Sequence, residues 1–294
     1  MHKYLRAVGF SGYKKRADIK DLLARALRAD GECSVYQLPD GTASAQIFIE
    51  TAEGLGLCIC GELNDDDEFE TDFYFPFIKS SQESTSAECR VYRHAERESY
   101  SGMCDEYKVG ASLIFQLINA NEYLIDSTGR HRNSRHSKVM LSGLAAQGVV
   151  LLPIKKTEKQ RELVRTAEKK RTALMEAASQ GDAEAIDSLT LEEMILYSSI
   201  SEHMRCDDIY TIVDSTFLPY GVESDQYSIL GEICEAEKVI NSWTNEEICV
   251  LMVECNDLMI RVGINSKDLL GEPLAGRRFK GRIWLQGCIS LEDQ

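Results

Sequence analysis

The sequence predicts an α+β protein with antiparallel β meanders at both ends and a helical hairpin region between them. Three observations carry this expectation. Strand-like runs separated by Gly-containing turns fill 34–78, and further strand-like runs recur over 227–288. Between 157 and 217 the apolar residues fall instead at three- and four-residue spacing. Finally, 294 residues leave room for more than one unit. The expected division is 1–155 as an N-terminal α+β domain, 156–217 as a helical region and 218–294 as a β-rich domain.

The elements follow in order. Ile19, Leu22, Leu23, Ala26 and Leu27 lie on one helical face, which predicts a helix over 15–29. Strands are expected at 34–38, 44–50, 56–63 and 71–78, with turns at Pro39-Asp40-Gly41 and Ala52-Glu53-Gly54. The polar, serine-rich stretch 79–106 reads as a loop with one short strand at 89–92. A hairpin is expected at 111–118 and 122–125, turning at Asn119-Ala120-Asn121, followed by a basic loop and the uncharged run Val139–Ile154. Thr157-Glu158-Lys159-Gln160 and Thr190-Leu191-Glu192-Glu193 have the form of capping boxes, and Gly181-Asp182 ends one helix and opens the next. Further strands are expected at 227–234, 248–254, 258–265 and 278–288. Helix then four strands at 15–78 matches helix then four strands at 208–288, which suggests a weak internal duplication.

Charge is segregated along the chain. Residues 130–171 hold twelve Lys and Arg against three Glu, whereas the whole chain carries a net charge of −15. Such a split implies either a surface for an anionic partner or a basic element docked on an acidic body. Its densest part is Arg130-His131-Arg132-Asn133-Ser134-Arg135-His136-Ser137-Lys138. Arg130, Arg132, Arg135 and Lys138 suit phosphate or carboxylate oxygens, with Asn133 and Ser134 adding neutral hydrogen bonds and His131 and His136 standing among them. The competing account is a solvated hairpin tip. The functional reading covers a phosphorylated metabolite, a nucleotide or an RNA backbone, and because the loop has no aromatic residue for base stacking, nucleic acid stays open but is not favoured. The basic helix expected from 157 offers a contact for a protein partner, or simply an external face.

Other chemistry is weakly signalled. The ten cysteines include no Cys-x-x-Cys pair and suit a reducing compartment, where thiols act as small hydrophobes. His203 and Cys206 share a helical face without the further ligands zinc requires, and Asp65-Asp66-Asp67 lacks the pattern of a calcium loop. No metal or cofactor is therefore expected. Phosphate-binding glycine motifs and the Gly-x-Ser-x-Gly elbow are missing too. Met1–Arg6 has no signal-peptide character, and Val139–Ile154 is shorter than the roughly 18 residues of a spanning helix, so a cytoplasmic location with no membrane contact is expected. The aromatic segment Phe217–Tyr227, around Pro219-Tyr220-Gly221, is a candidate pocket at a helix-to-strand junction.

Three stretches carry a resemblance. They are Met1–Ser11, the pair Pro219-Tyr220-Gly221 and Asp225-Gln226-Tyr227, and Gly271-Glu272-Pro273 with Gly276 through Gly287. Together they resemble a family of soluble proteins from clostridia-like Firmicutes described only as a domain of unknown function. The resemblance implies a bacterial cytoplasmic protein and brings no reaction, cofactor or catalytic residue. The leading expectation is a non-enzymatic binding or regulatory protein with the 130–138 loop as its anion-recognition surface. The alternative is an enzyme with a small-molecule pocket at the helix/sheet junction.

Overall fold

The computed structural model describes residues 2–291 except 39–40, 65–67, 95–98, 107, 130–136, 154–165, most of 167–180 and 190–214. Strand makes up 55% of the described residues and helix 18%, so the class is mainly β, and the α+β expectation is corrected. Within 156–217, the described residues are helical at 166, 170, 173–175, 177–178 and 183–189 and strand at 216–217, with no helical hairpin region among them.

The first sheet is a simple antiparallel meander. Strands β1 (Glu32–Gln37), β2 (Ala43–Ala52), β3 (Leu55–Leu63) and β4 (Phe69–Ile78) pair in sequence order. Helix α1 (Arg16–Ala26) precedes them and buries Ile19, Leu22 and Ala26, the face its spacing predicts. Ahead of it, a 3-10 turn at Leu5–Val8 buries three of its four residues and closes on Gly9 at φ 92. A Cβ at Gly9 would stand 2.7 Å from Asn241 Cβ, so both the left-handed backbone and the close approach call for glycine. Asn241 is fully buried there, its Nδ2 donating to the Val8 carbonyl (2.8 Å) and to Thr51 Oγ1 (3.0 Å).

The second sheet has eleven strands of mixed direction. They are β5 (Thr85–Ala87), β6 (Cys89–Arg93), β7 (Tyr100–Glu106), β8 (Ala111–Leu117), β9 (Ser137–Leu151), β10 (Thr216–Pro219), β11 (Gln226–Ile240), β12 (Glu247–Cys255), β13 (Leu258–Asn265), β14 (Leu269–Leu270) and β15 (Arg278–Leu291). β11 pairs with β15 through Gln226–Glu232 and with β12 through Glu232–Ile240. β12 then pairs with β13, β13 runs parallel to β9, and β9 pairs with β15. Those five strands therefore close into a ring. Period-two alternation fills its interior: Cys249, Leu251 and Val253 from β12, Leu258, Ile260, Val262 and Ile264 from β13, Phe279, Ile283 and Leu285 from β15. Of the other six strands, β8, β7 and β6 extend the sheet outward from β15, β10 pairs with β11, and β5 and β14 pair with β9.

The ring explains the other corrections. The C-terminal strands are no separate meander, because β9 is inserted beside β13, and nothing in the first sheet repeats that arrangement. The stretch expected as a strand at 122–125 is helix α2 (Ala120–Gly129). Asn121 fixes it, its Nδ2 donating to the carbonyls of Ser34 (2.9 Å) and Ser44 (3.0 Å) while its N–H donates to Gln46 Oε1 (3.1 Å). The loop expected at 79–106 holds three strands.

The first sheet packs on the outside of the ring. Phe48, Leu57, Ile59, Phe75 and Phe77 join Ile248, Val250, Leu144 and Trp284 in one buried cluster. One side chain stitches the layers together: buried Gln286 of β15 accepts from the Ile78 N–H (3.1 Å) and donates to the Pro76 carbonyl (2.8 Å) of β4.

Candidate functional site

A cleft of about 840 Å³ opens where these parts meet, within the size range of small-molecule sites. Its walls come from the N-terminal segment (His2, Lys3, Tyr4), from β4 (Phe73, Tyr74, Phe75) and from the 222–226 turn with Trp284 of β15. The outlying hairpin adds His94, Ser99 and Ser101, and β8 adds Gln116.

Local structure explains how each group is held. The 220–226 turn is pinned at both ends, the Tyr220 N–H donating to the Gln226 carbonyl (2.8 Å) and the Leu285 N–H to the Asp225 carbonyl (2.8 Å). The Arg282 guanidinium lies 4.1 Å from the centre of the Tyr220 ring, fastening the turn to β15. Trp284 Nε1 donates to Asp225 Oδ2 at 2.6 Å. The Trp284 ring stacks with Tyr4 (5.7 Å between centres), meets His2 at 4.6 Å and takes Phe75 edge-on at 6.3 Å. Lys3 Nζ donates to Gln226 Oε1 (3.1 Å) and sits 5.0 Å from the centre of the Tyr4 ring. On the hairpin, His94 Nε2 and Ser101 Oγ share a hydrogen bond of 2.8 Å.

The electrostatics follow from this packing. Burial lifts the Asp225 carboxyl above its ordinary value, and the hydrogen bond from Trp284 opposes the rise. The Tyr4 phenol is pushed up to about 12, first by burial and then by the negative charges of Glu223 and Asp225. The cleft thus presents an ammonium, two carboxylates, two imidazoles and aromatic surface to one space. Such a set can orient a polar organic molecule through charges of either sign while an apolar part lies against the rings.

The sequence-predicted site falls elsewhere. Arg130, His131, Arg132, Asn133, Ser134, Arg135 and His136 lie outside the described residues, as do His203, Cys206 and the acidic triplet 65–67. Lys138 is described: it is exposed on β9, with Nζ 3.8 Å from Glu83 Oε2. Among the described residues no group of three or more His, Cys, Asp or Glu is placed to hold a metal ion, and no helix is long and apolar enough to cross a membrane. The aromatic segment flagged around Pro219-Tyr220-Gly221 does border the cleft, through 222–226, but it joins two strands and not a helix to a strand. His2, Lys3, Tyr4 and Trp284 carried no motif. Their one signal was membership in the stretches that bore the resemblance, and the fold brings residues of all three of those stretches to this cleft.

Residues 5–287 match the model of a family described as a domain of unknown function, E. rectale gene description (DUF3881). The chain belongs to that family. The resemblance seen in the sequence is thereby confirmed, and the match runs through both sheets. No curated protein and no solved structure matches the chain.

Proposed function

We propose that this protein binds a small polar organic molecule in the cleft between the first sheet and the ring, and that it acts by binding rather than by catalysis. The observation that carries the reading is the convergence of Lys3, Asp225, Glu223 and the Tyr4–Trp284 stack on one concavity built from segments far apart in sequence. Most of the polar groups already have structural partners, as Asp225 has Trp284 and Lys3 has Gln226, which suits recognition at fixed positions. A cytoplasmic location is part of this proposal. So is the reading of Arg130–Lys138 as an anion-recognition surface, which rests on the composition of that stretch and would serve a protein partner or a phosphorylated ligand.

The test uses differential scanning fluorimetry with a panel of organic acids, amines and nucleotides. Intrinsic fluorescence of Trp284, read in a Trp243→Phe background, provides the second readout. A compound that raises the melting temperature and changes Trp284 emission, with both effects lost in Glu223→Lys, supports the cleft. Hits that bind the variant equally well would move the site elsewhere.

A second reading, hydrolysis, is favoured by one contact. Ser101 Oγ and His94 Nε2 are hydrogen-bonded at the cleft as a nucleophile and its base would be. A fluorophosphonate probe discriminates: labelling of Ser101 that is lost in His94→Ala supports catalysis, and an unlabelled Ser101 removes it.

A further inference from the structure

The thiols of the outer hairpin carry a chemistry that the cleft does not use. β6 and β7 pair antiparallel with Cys89 directly opposite Cys104. Directly opposed residues of such a pair share one face of the sheet. Their pair type follows from a single bond. The His94 N–H donates to the Ser99 carbonyl at 2.8 Å, which marks 94/99 as a hydrogen-bonded pair. Pair types alternate along an antiparallel ladder, so 92/101 and 90/103 are hydrogen-bonded and 89/104 is not. Non-hydrogen-bonded positions bring the two Cα atoms to about 4.5 Å, with the side chains at their closest. That separation lies inside the range a disulfide spans.

The surroundings complete the case. Cys104 is buried at 1% exposure, whereas Cys89 is only partly buried on the edge strand, so Cys89 is the more accessible of the two. The Cys104 thiol is held well above its ordinary range, foremost by its hydrogen-bonding contact with the Cys89 thiol and next by burial. The other close pair differs: Cys58 and Cys60, with sulfurs 3.7 Å apart, are both buried on the same strand in the core of the first sheet. No oxidant reaches them without opening the fold.

We infer that Cys89 and Cys104 form a redox-active dithiol that closes to a cross-strand disulfide when it meets a small disulfide oxidant. The Cys89 thiolate attacks one sulfur of the oxidant R–S–S–R, forming a mixed disulfide and releasing the first R–SH. Cys104 then loses its proton to solvent and attacks the Cys89 sulfur, which expels the second R–S⁻ to be protonated as R–SH. Two thiols are oxidised and one external disulfide is reduced. The product is a clip across the edge hairpin that also carries His94, Ser99 and Ser101, and the inference stands independently of what the cleft binds.

The experiment takes the full-length reduced chain and exposes it to oxidised glutathione in mildly alkaline buffer without denaturant. Remaining thiols are alkylated, and proteolytic fragments are weighed. The expected result is a linked pair of peptides containing Cys89 and Cys104, lighter by two hydrogens, with Cys58 and Cys60 still alkylated only after unfolding. In Cys104→Ser, glutathione should stay attached at Cys89, and in Cys89→Ser neither position should react. Circular dichroism checks that both variants fold, and the wild-type result stands without them. Stable glutathione on Cys89 of the wild type, free alkylation of both thiols, or a Cys58–Cys60 link in their place would overturn the inference.

Discussion

Replacing Gln286 by Met tests how the two layers are joined. The Gln286 side chain is fully buried and satisfies two backbone groups of β4, the Ile78 N–H and the Pro76 carbonyl. Methionine keeps much of the shape and the apolar stem but offers neither the acceptor nor the donor. Each buried group left unsatisfied costs about 1–3 kcal/mol. Two such groups amount to about 2–6 kcal/mol, and the variant regains some of this because it no longer buries a polar amide. A net destabilisation of about 3 kcal/mol is expected. With a urea slope of about 3 kcal/mol/M, the unfolding midpoint should fall by on the order of 1 M with the slope unchanged. Because Phe75 of β4 meets Trp284 of β15 across this junction, Trp284 emission should also shift toward the red in the folded variant. A loss below about 0.5 kcal/mol, the scale of an ordinary surface change, would refute the reasoning, since it would mean that these groups find other partners.

Three further outcomes are expected. The Tyr4 phenol should ionise only near pH 12, visible as a late step in ultraviolet titration that Tyr4→Phe removes. The unfolded phenol ionises near its ordinary 10.0, so between these values the unfolded state holds fewer protons, and stability should fall as pH rises through that window. Asp225→Asn keeps an acceptor for Trp284 while removing a carboxylate whose charged form burial disfavours, so the urea midpoint at neutral pH should hold or rise, and a large drop would contradict the assigned cause. Ile260→Ala inside the ring should cost about 2–5 kcal/mol in urea unfolding, against about 0.5 kcal/mol or less for Leu274→Ala at an exposed position.

The strands of the first sheet were legible because their signal is local. The apolar runs in Ala43–Ala52 and Leu55–Leu63, with Gly54 between them, specify a hairpin without reference to the rest of the chain. The C-terminal strands were visible for the same reason, although the continuation of β11 to Ile240 was not, since its charged outer half lacks an apolar stripe. Helix α2 was misread as a strand. Tyr123, Leu124 and Ile125 are too short an apolar run to fix a period, and its position is set by Asn121 reaching residues of β1 and β2. The charge of 130–171 dominated the sequence, yet charge alone says nothing of where a segment lies in space.

The sequence by itself determined where the strands of the first sheet and the C-terminal strands lie, because apolar runs and the Gly turns between them are local; that the class is mainly β was not among its readings. It also carried the family, through stretches that lie apart along the chain. Which strand lies beside which was decided only in three dimensions. The parallel pairing of β9 with β13, the division of β11 between two neighbours and the closing of the ring depend on backbone groups that are chemically alike at every residue. The cleft belongs to the same level. Lys3 meets Gln226 across 223 residues and Gln286 meets Pro76 across 210, and contacts at such separations arise from packing two layers together, which no local pattern encodes.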